Sequence, residues 1–193
     1  DYYHRDEGLK WYRWVVERDW LWYLLWGRLS YDPDLSEAPW LAALSERFGT
    51  EAAAPMLRAS ARMSRVVPLI YSAHCLGPDH RNMAPEFETG GPLDKFADVQ
   101  PLDTFAMQSV REYVQGLVQG RQSARTTPLQ MAKMLQEAGT EALAAVRQAA
   151  KVASRGQREL ADWETDITCL NYLGGYYASK LRAATYLELY KAT

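Results

Sequence analysis

The four residues Thr127-Pro128-Leu129-Gln130 constrain this chain more than any other stretch. A threonine hydroxyl can accept from the amide three residues on, and a glutamine at that position can reach back to the threonine amide. Proline between them loses nothing by lacking an N–H in the first turn, so the tetrad predicts where a helix starts. Apolar residues then recur at helical spacing through Leu135, Leu143 and Val146 to about Ser154, among alanines that permit close packing. Past Gly156, the series Leu160, Trp163, Ile167, Leu170, Leu173, Tyr177, Leu181, Ala184 and Leu187 predicts a last helix. It would be about 35 residues long, or ~50 Å at 1.5 Å per residue. Two such helices joined by one short turn form an antiparallel hairpin. Gly174-Gly175, inside the second, is expected to bend it or to admit a close neighbour.

Upstream, residues 9–30 predict a first helix. Trp11, Trp14, Val15, Arg18, Trp22, Leu25, Trp26 and Leu29 follow steps of three and four, while Trp20, Leu21, Tyr23 and Leu24 carry apolar surface round the cylinder. Such a helix is expected to be central, with its tryptophans in the core. It ends at Tyr31-Asp32-Pro33-Asp34, where proline disfavours helix at Asp32. A second helix spans 36–48 with Trp40, Leu41, Leu44 and Phe48 on one stripe, closed by Gly49. Thr50 is the expected N-cap of a third, with Pro68 expected to kink it. Residues 74–101, dense in Gly and Pro and without period, read as one long irregular loop. A fourth helix follows over about 102–119, with Phe105, Val110, Tyr113, Val114 and Leu117. The sum is an all-α, multi-helix bundle of about six helices, one domain over 1–193, read as excised from a larger chain because it opens without Met.

With hydrophobic residues at 48%, charged residues at 24% and a net charge of −2, the chain is globular and lacks the basic footprint of a nucleic-acid or anionic-lipid binder. No apolar run approaches the roughly 20 residues of a membrane span. The two cysteines, Cys75 and Cys169, make no metal motif, and a bridge between them stays open. The seven tryptophans and twelve tyrosines are dense enough to fill a large core or to serve surfaces that stack on sugar rings. The core is the commoner use.

Chemistry-bearing residues gather in the irregular segment: His74, His80, Arg81, Glu86 and Glu88. The histidine spacing fits no metal signature, and no His-Glu-x-x-His, Glu-x-x-His, Gly-x-Ser-x-Gly or phosphate-binding loop occurs. Glu86 and Glu88 as a glycosidase pair would have to face each other across a glycosidic bond, which neighbours in one loop seldom do. No catalytic set, metal or cofactor is therefore expected. Arg28, Tyr31 and Asp32 are expected to fix the first corner, a buried Arg pairing with the turn Asp. Arg121, Arg125 and Thr126 read as a small solvated basic loop.

The stretch Trp26-Gly27-Arg28-Leu29-Ser30-Tyr31-Asp32-Pro33-Asp34, followed by Trp40 and by Arg47-Phe48-Gly49, resembles a known region. It is similar to the helical part after the catalytic barrel in large bacterial glycoside-hydrolase-like proteins, of the α-glucuronidase or hexosaminidase-like kind. The His74 segment with Pro85-Glu86, the Thr127-Pro128 start, and Tyr176-Tyr177-Ala178 with Lys180-Leu181 resemble that region too, so the similarity covers most of the chain. No barrel is present, and the family's catalytic carboxylates have no positions here. The resemblance implies a non-catalytic accessory domain that braces a neighbouring catalytic domain of the same parent chain. His74, His80, Arg81, Glu86 and Glu88 would then contact sugar or the domain interface, in a periplasmic or extracellular setting. The alternative is an independent helical module that binds a protein or an apolar ligand through its aromatic helix.

Overall fold

The computed structural model describes residues 12–73 and 93–193. Among the described residues the chain is all-α, with nine helices: α1 (Val15–Arg18), α2 (Trp20–Tyr31), α3 (Ala38–Phe48), α4 (Thr50–Met63), α5 (Val66–Ala73), α6 (Leu93–Asp98), α7 (Val110–Val118), α8 (Pro128–Val152) and α9 (Gln157–Ala192). The chain packs as two compact units, Asp1–Ala59 with Ala144–Thr165, and Ser60–Leu143 with Asp166–Thr193.

Nine helices replace the expected six for local reasons. The first expected helix breaks at Asp19, whose backbone (φ −98°, ψ 25°) leaves the helical region between α1 and α2. Pro68 does not kink a long helix. The chain turns at Ser64-Arg65, and Pro68 falls in the first turn of α5, where a missing N–H costs nothing. Thr50 is the first helical residue rather than the cap, and Gly49 carries the cap position, with its carbonyl accepting from Ala52. Within the expected loop 74–101, residues Leu93–Asp98 form α6, and residues 74–92 lie outside the described residues. The expected helix over 102–119 is shortened to α7, because the Asp103 carboxylate turns the chain by accepting from Phe105 N (2.9 Å) and Ala106 N (3.1 Å). Ser109 then caps α7, accepting from Glu112 N at 3.2 Å.

The tetrad at 127–130 folds as its chemistry requires. Gln130 N donates to Thr127 Oγ1 at 3.2 Å, Thr127 N donates to Gln130 Oε1 at 2.8 Å, and α8 starts at Pro128. The long last helix is α9, of 36 residues, unbroken through Gly174-Gly175. A Cβ on Gly174 would lie 3.2 Å from the Leu135 carbonyl, so this glycine serves close approach rather than a bend.

In the first unit the buried apolar residues include Leu21, Trp40, Leu44, Phe48, Ala52, Met56, Val146, Ala149 and Leu160. Gly156 sits at one of its tight contacts. Its φ is +70°, and a Cβ there would fall 2.7 Å from the Arg47 carbonyl and 2.9 Å from the Phe48 ring. Ser154 N donates to the Phe48 carbonyl at 3.0 Å alongside. The second unit centres on Val66, Ile70, Phe96, Val110, Met131, Leu135, Tyr177 and Leu181. In it α8 and α9 run antiparallel, Leu135 meeting Gly174 while Gly139 meets Asn171. The three buried polar side chains among the described residues are Ser109, Glu159 and Thr185, and each has a hydrogen-bond partner, as burial demands.

Candidate functional site

Two surfaces stand out, one in each unit. In the first unit it is α2. This helix buries only Leu21, while Trp22 (56%), Trp26 (60%) and Leu29 (37%) face solvent on one side, spaced four and three residues apart. Leu25 and Ser30 complete an open groove with them. The Trp22 and Trp26 rings lie 5.2 Å apart at 30°, and Tyr23 meets Trp22 edge-on at 4.8 Å. The rings thus touch one another while staying largely open to solvent. Trp14 is exposed as well. The expectation that these tryptophans fill a core is overturned, and Trp11 lies outside the described residues. A helix apolar on all sides needs cover all round, and this unit supplies it along one side only.

That covered side is held by a polar node. Trp20 Nε1 donates to Glu159 Oε1 at 2.6 Å, Arg47 Nη1 lies 3.5 Å from the same oxygen, and the Arg47 guanidinium sits 4.5 Å over the Trp20 ring. Burial raises the Glu159 carboxyl above its ordinary value of 4.5, outweighing the hydrogen bonds from Trp20 and Trp163 and the Arg47 charge. The node has the character of an anchor, since its polar atoms are spent on one another.

At the first corner, Arg28, Tyr31 and Asp32 are brought together in sequence but not as a buried pair. Arg28 and Asp32 are exposed, and Tyr31 is 93% exposed. The turn is made by Asp32 itself. Its N–H donates to the Arg28 carbonyl at 2.9 Å, and its Oδ1 accepts from Asp34 N at 3.2 Å. Its short carboxylate reaches the backbone two residues on, which closes the corner without the Arg28 side chain. His74, His80, Arg81, Glu86 and Glu88 lie outside the described residues, as does Cys75; Cys169 is a free, exposed thiol. Among the described residues no three His, Cys, Asp or Glu side chains gather as a metal site.

The second surface is a cleft of about 580 Å³ lined by Asp98, Gln100, Thr104, Phe105, Ser109, Arg111, Glu112, Gln115 and Arg125. Arg125, read from sequence as merely solvated, is held on three sides. Its guanidinium engages both oxygens of Glu112, donates to the Thr104 carbonyl at 2.8 Å, and reaches Ser123 Oγ at 3.3 Å. Arg111 pairs with Asp98 and lies 3.6 Å from Glu188. Phe105 is 93% exposed. The loop 121–127 is tied to the α7 approach by Gln108 N to the Thr126 carbonyl (3.0 Å) and Thr126 N to the Ala106 carbonyl (2.9 Å). Sequence reasoning missed this cleft because its residues, though close along the chain, share no period. No signal in the sequence marked it, since Phe105 fits the apolar stripe of the helix expected over 102–119, and only the structure puts it in a turn.

The fold defines the chain as an all-α helical domain. No family model and no curated protein matches it. Among solved structures it is similar to one described as a GH138 enzyme targeting pectin rhamnogalacturonan II, with a TM-score of 0.78 at 20% identity. The match covers 91% of this chain, and the chain spans 27% of that protein's length. At that identity the likeness establishes a shared fold.

Proposed function

We propose that this chain is a non-catalytic helical accessory domain of a carbohydrate-active protein, and that α2 braces a neighbouring catalytic domain. The observation that carries the reading is the open Trp22–Trp26–Leu29 face. A contiguous apolar surface of this kind on a folded domain marks an interaction site. The likeness of nearly the whole chain to about a quarter of a glycoside hydrolase supports a catalytic domain as what covers it. The finer kinship with α-glucuronidase or hexosaminidase-like proteins, suggested by the 26–34 turn, belongs to the same proposal. Aromatic side chains of this kind are enriched at interface centres.

The test is made in the natural polypeptide that carries this sequence, with Trp22 and Trp26 both replaced by serine. Hydrolysis of pectin-derived oligosaccharides should survive, with KM little changed, while the activity is lost faster on heating. A carrier polypeptide that hydrolyses no glycoside, or one whose heat inactivation is unmoved by the double substitution, overturns the proposal. The second reading, an independent interaction module, draws on the same exposed face. It gains if the carrier lacks glycosidase activity yet captures a separate protein in a Trp26-dependent way.

A further inference from the structure

We propose that the cleft between α6 and α7 binds a neutral saccharide. The inference rests on the carbohydrate-linked reading above and assigns the ligand class of a different surface. The cleft has one apolar wall, the Phe105 ring, and every other lining side chain named above is polar. Phe105 is not a floppy excursion. Its backbone N–H is held by Asp103 at 2.9 Å, and the Thr104 carbonyl beside it is held by Arg125 at 2.8 Å. The ring is therefore presented to solvent on a pinned turn. A ligand that matches has a flat C–H face to lay on the ring and hydroxyls around its edge, which is the shape of a pyranose.

The charge pattern narrows the class further. Arg111 is matched by Asp98 and Arg125 by Glu112, so the lining cations and anions cancel. A uronate finds no unpaired cation in the lining and a cationic ligand no unpaired anion, so either would have to compete with an ion pair already formed. Hydroxyl groups face no such contest. They can donate to the spare carboxylate lone pairs and accept from the spare guanidinium N–H groups. Gln100 and Gln115, both exposed at the cleft, each offer a donor and an acceptor to a pair of adjacent hydroxyls. The volume, about 580 Å³, lies within the range of small-ligand sites, about 300–1,000 Å³.

The experiment is a titration of the full chain, isotopically labelled, with methyl rhamnoside, methyl galactoside and digalacturonate, followed by amide chemical shifts. The expected result is that at least one neutral glycoside moves resonances of residues 98–125 and binds more tightly than digalacturonate. Phe105→Ala should weaken that binding at least tenfold with an unchanged thermal midpoint, and Phe105→Trp should restore it. Absence of shifts with both neutral glycosides, shifts confined to other residues, tighter binding of digalacturonate, or wild-type binding by Phe105→Ala would each overturn the assignment. If the cleft fails while the Trp22 and Trp26 test succeeds, only this inference falls. If the carrier hydrolyses no glycoside yet the cleft binds, the accessory-domain reading falls and the binding site stands.

Discussion

Helices α2 and α3 belong to the same unit and are both rich in large apolar residues, yet they meet opposite fates. In α3, Trp40, Leu44 and Phe48 recur every four residues, and all three are nearly inaccessible. In α2 the apolar residues are more numerous, but they encircle the helix, and one of its twelve residues is buried. Packing rewards arrangement more than amount. A single stripe is hidden by a single contact, whereas an all-round apolar helix remains partly bare until something else covers it. That difference separates the residues that hold this fold from those it leaves facing solvent.

The sharpest way to break the comparison is to cut one side chain from each helix. Phe48→Ala should cost about 3–5 kcal/mol, the usual penalty for emptying a well-packed aromatic site, and lower the midpoint in urea accordingly. Next in size, Gly156→Ala should destabilise by about 1–3 kcal/mol, since its φ of +70° strains any side chain and its Cβ meets Arg47 and Phe48. A smaller effect is expected at Glu159, with a definite sign. Its folded carboxyl titrates above the unfolded value of 4.5, so the native state holds the proton more tightly and its contribution to stability is lost as pH rises through that higher value. Urea midpoints measured from pH 4.5 upward should therefore show a downward component that Glu159→Gln removes; an unchanged slope would contradict the burial argument. Smallest of all, Trp26→Ala should change stability by no more than about 0.5 kcal/mol in the isolated chain, as exposed positions do. A loss approaching that of Phe48→Ala would dissolve the distinction between the two helices.

Much of the architecture was legible because its signals are local. The Thr127-Gln130 cap, the α8–α9 hairpin and the Trp40-Leu44-Phe48 stripe depend on residues within a few turns of one another, and the structure places each where the pattern predicts. The breaks at Asp19 and Ser64-Arg65 were not legible, because the apolar spacing runs on across both. The burial of α2 was misread for a related reason. Periodicity reports that a surface is apolar, and only tertiary packing decides whether it is covered. The cleft residues were hidden differently. Arg125 acquires its meaning from Glu112 and the Thr104 carbonyl, partners brought to it by the Asp103 turn and the Met107–Thr126 bridge, neither of which leaves a spaced motif. The site residues expected from the resemblance fall outside the described residues.

The claim that α2 is an open face is tested most directly by acrylamide quenching of tryptophan emission in the isolated chain. The account predicts emission shifted toward that of indole in water, with a readily quenched fraction that Trp22→Phe with Trp26→Phe reduces, leaving the share of exposed Trp14. Blue-shifted emission that acrylamide barely reaches, unaltered by that double substitution, would show that these rings are already covered and that α2 needs no partner.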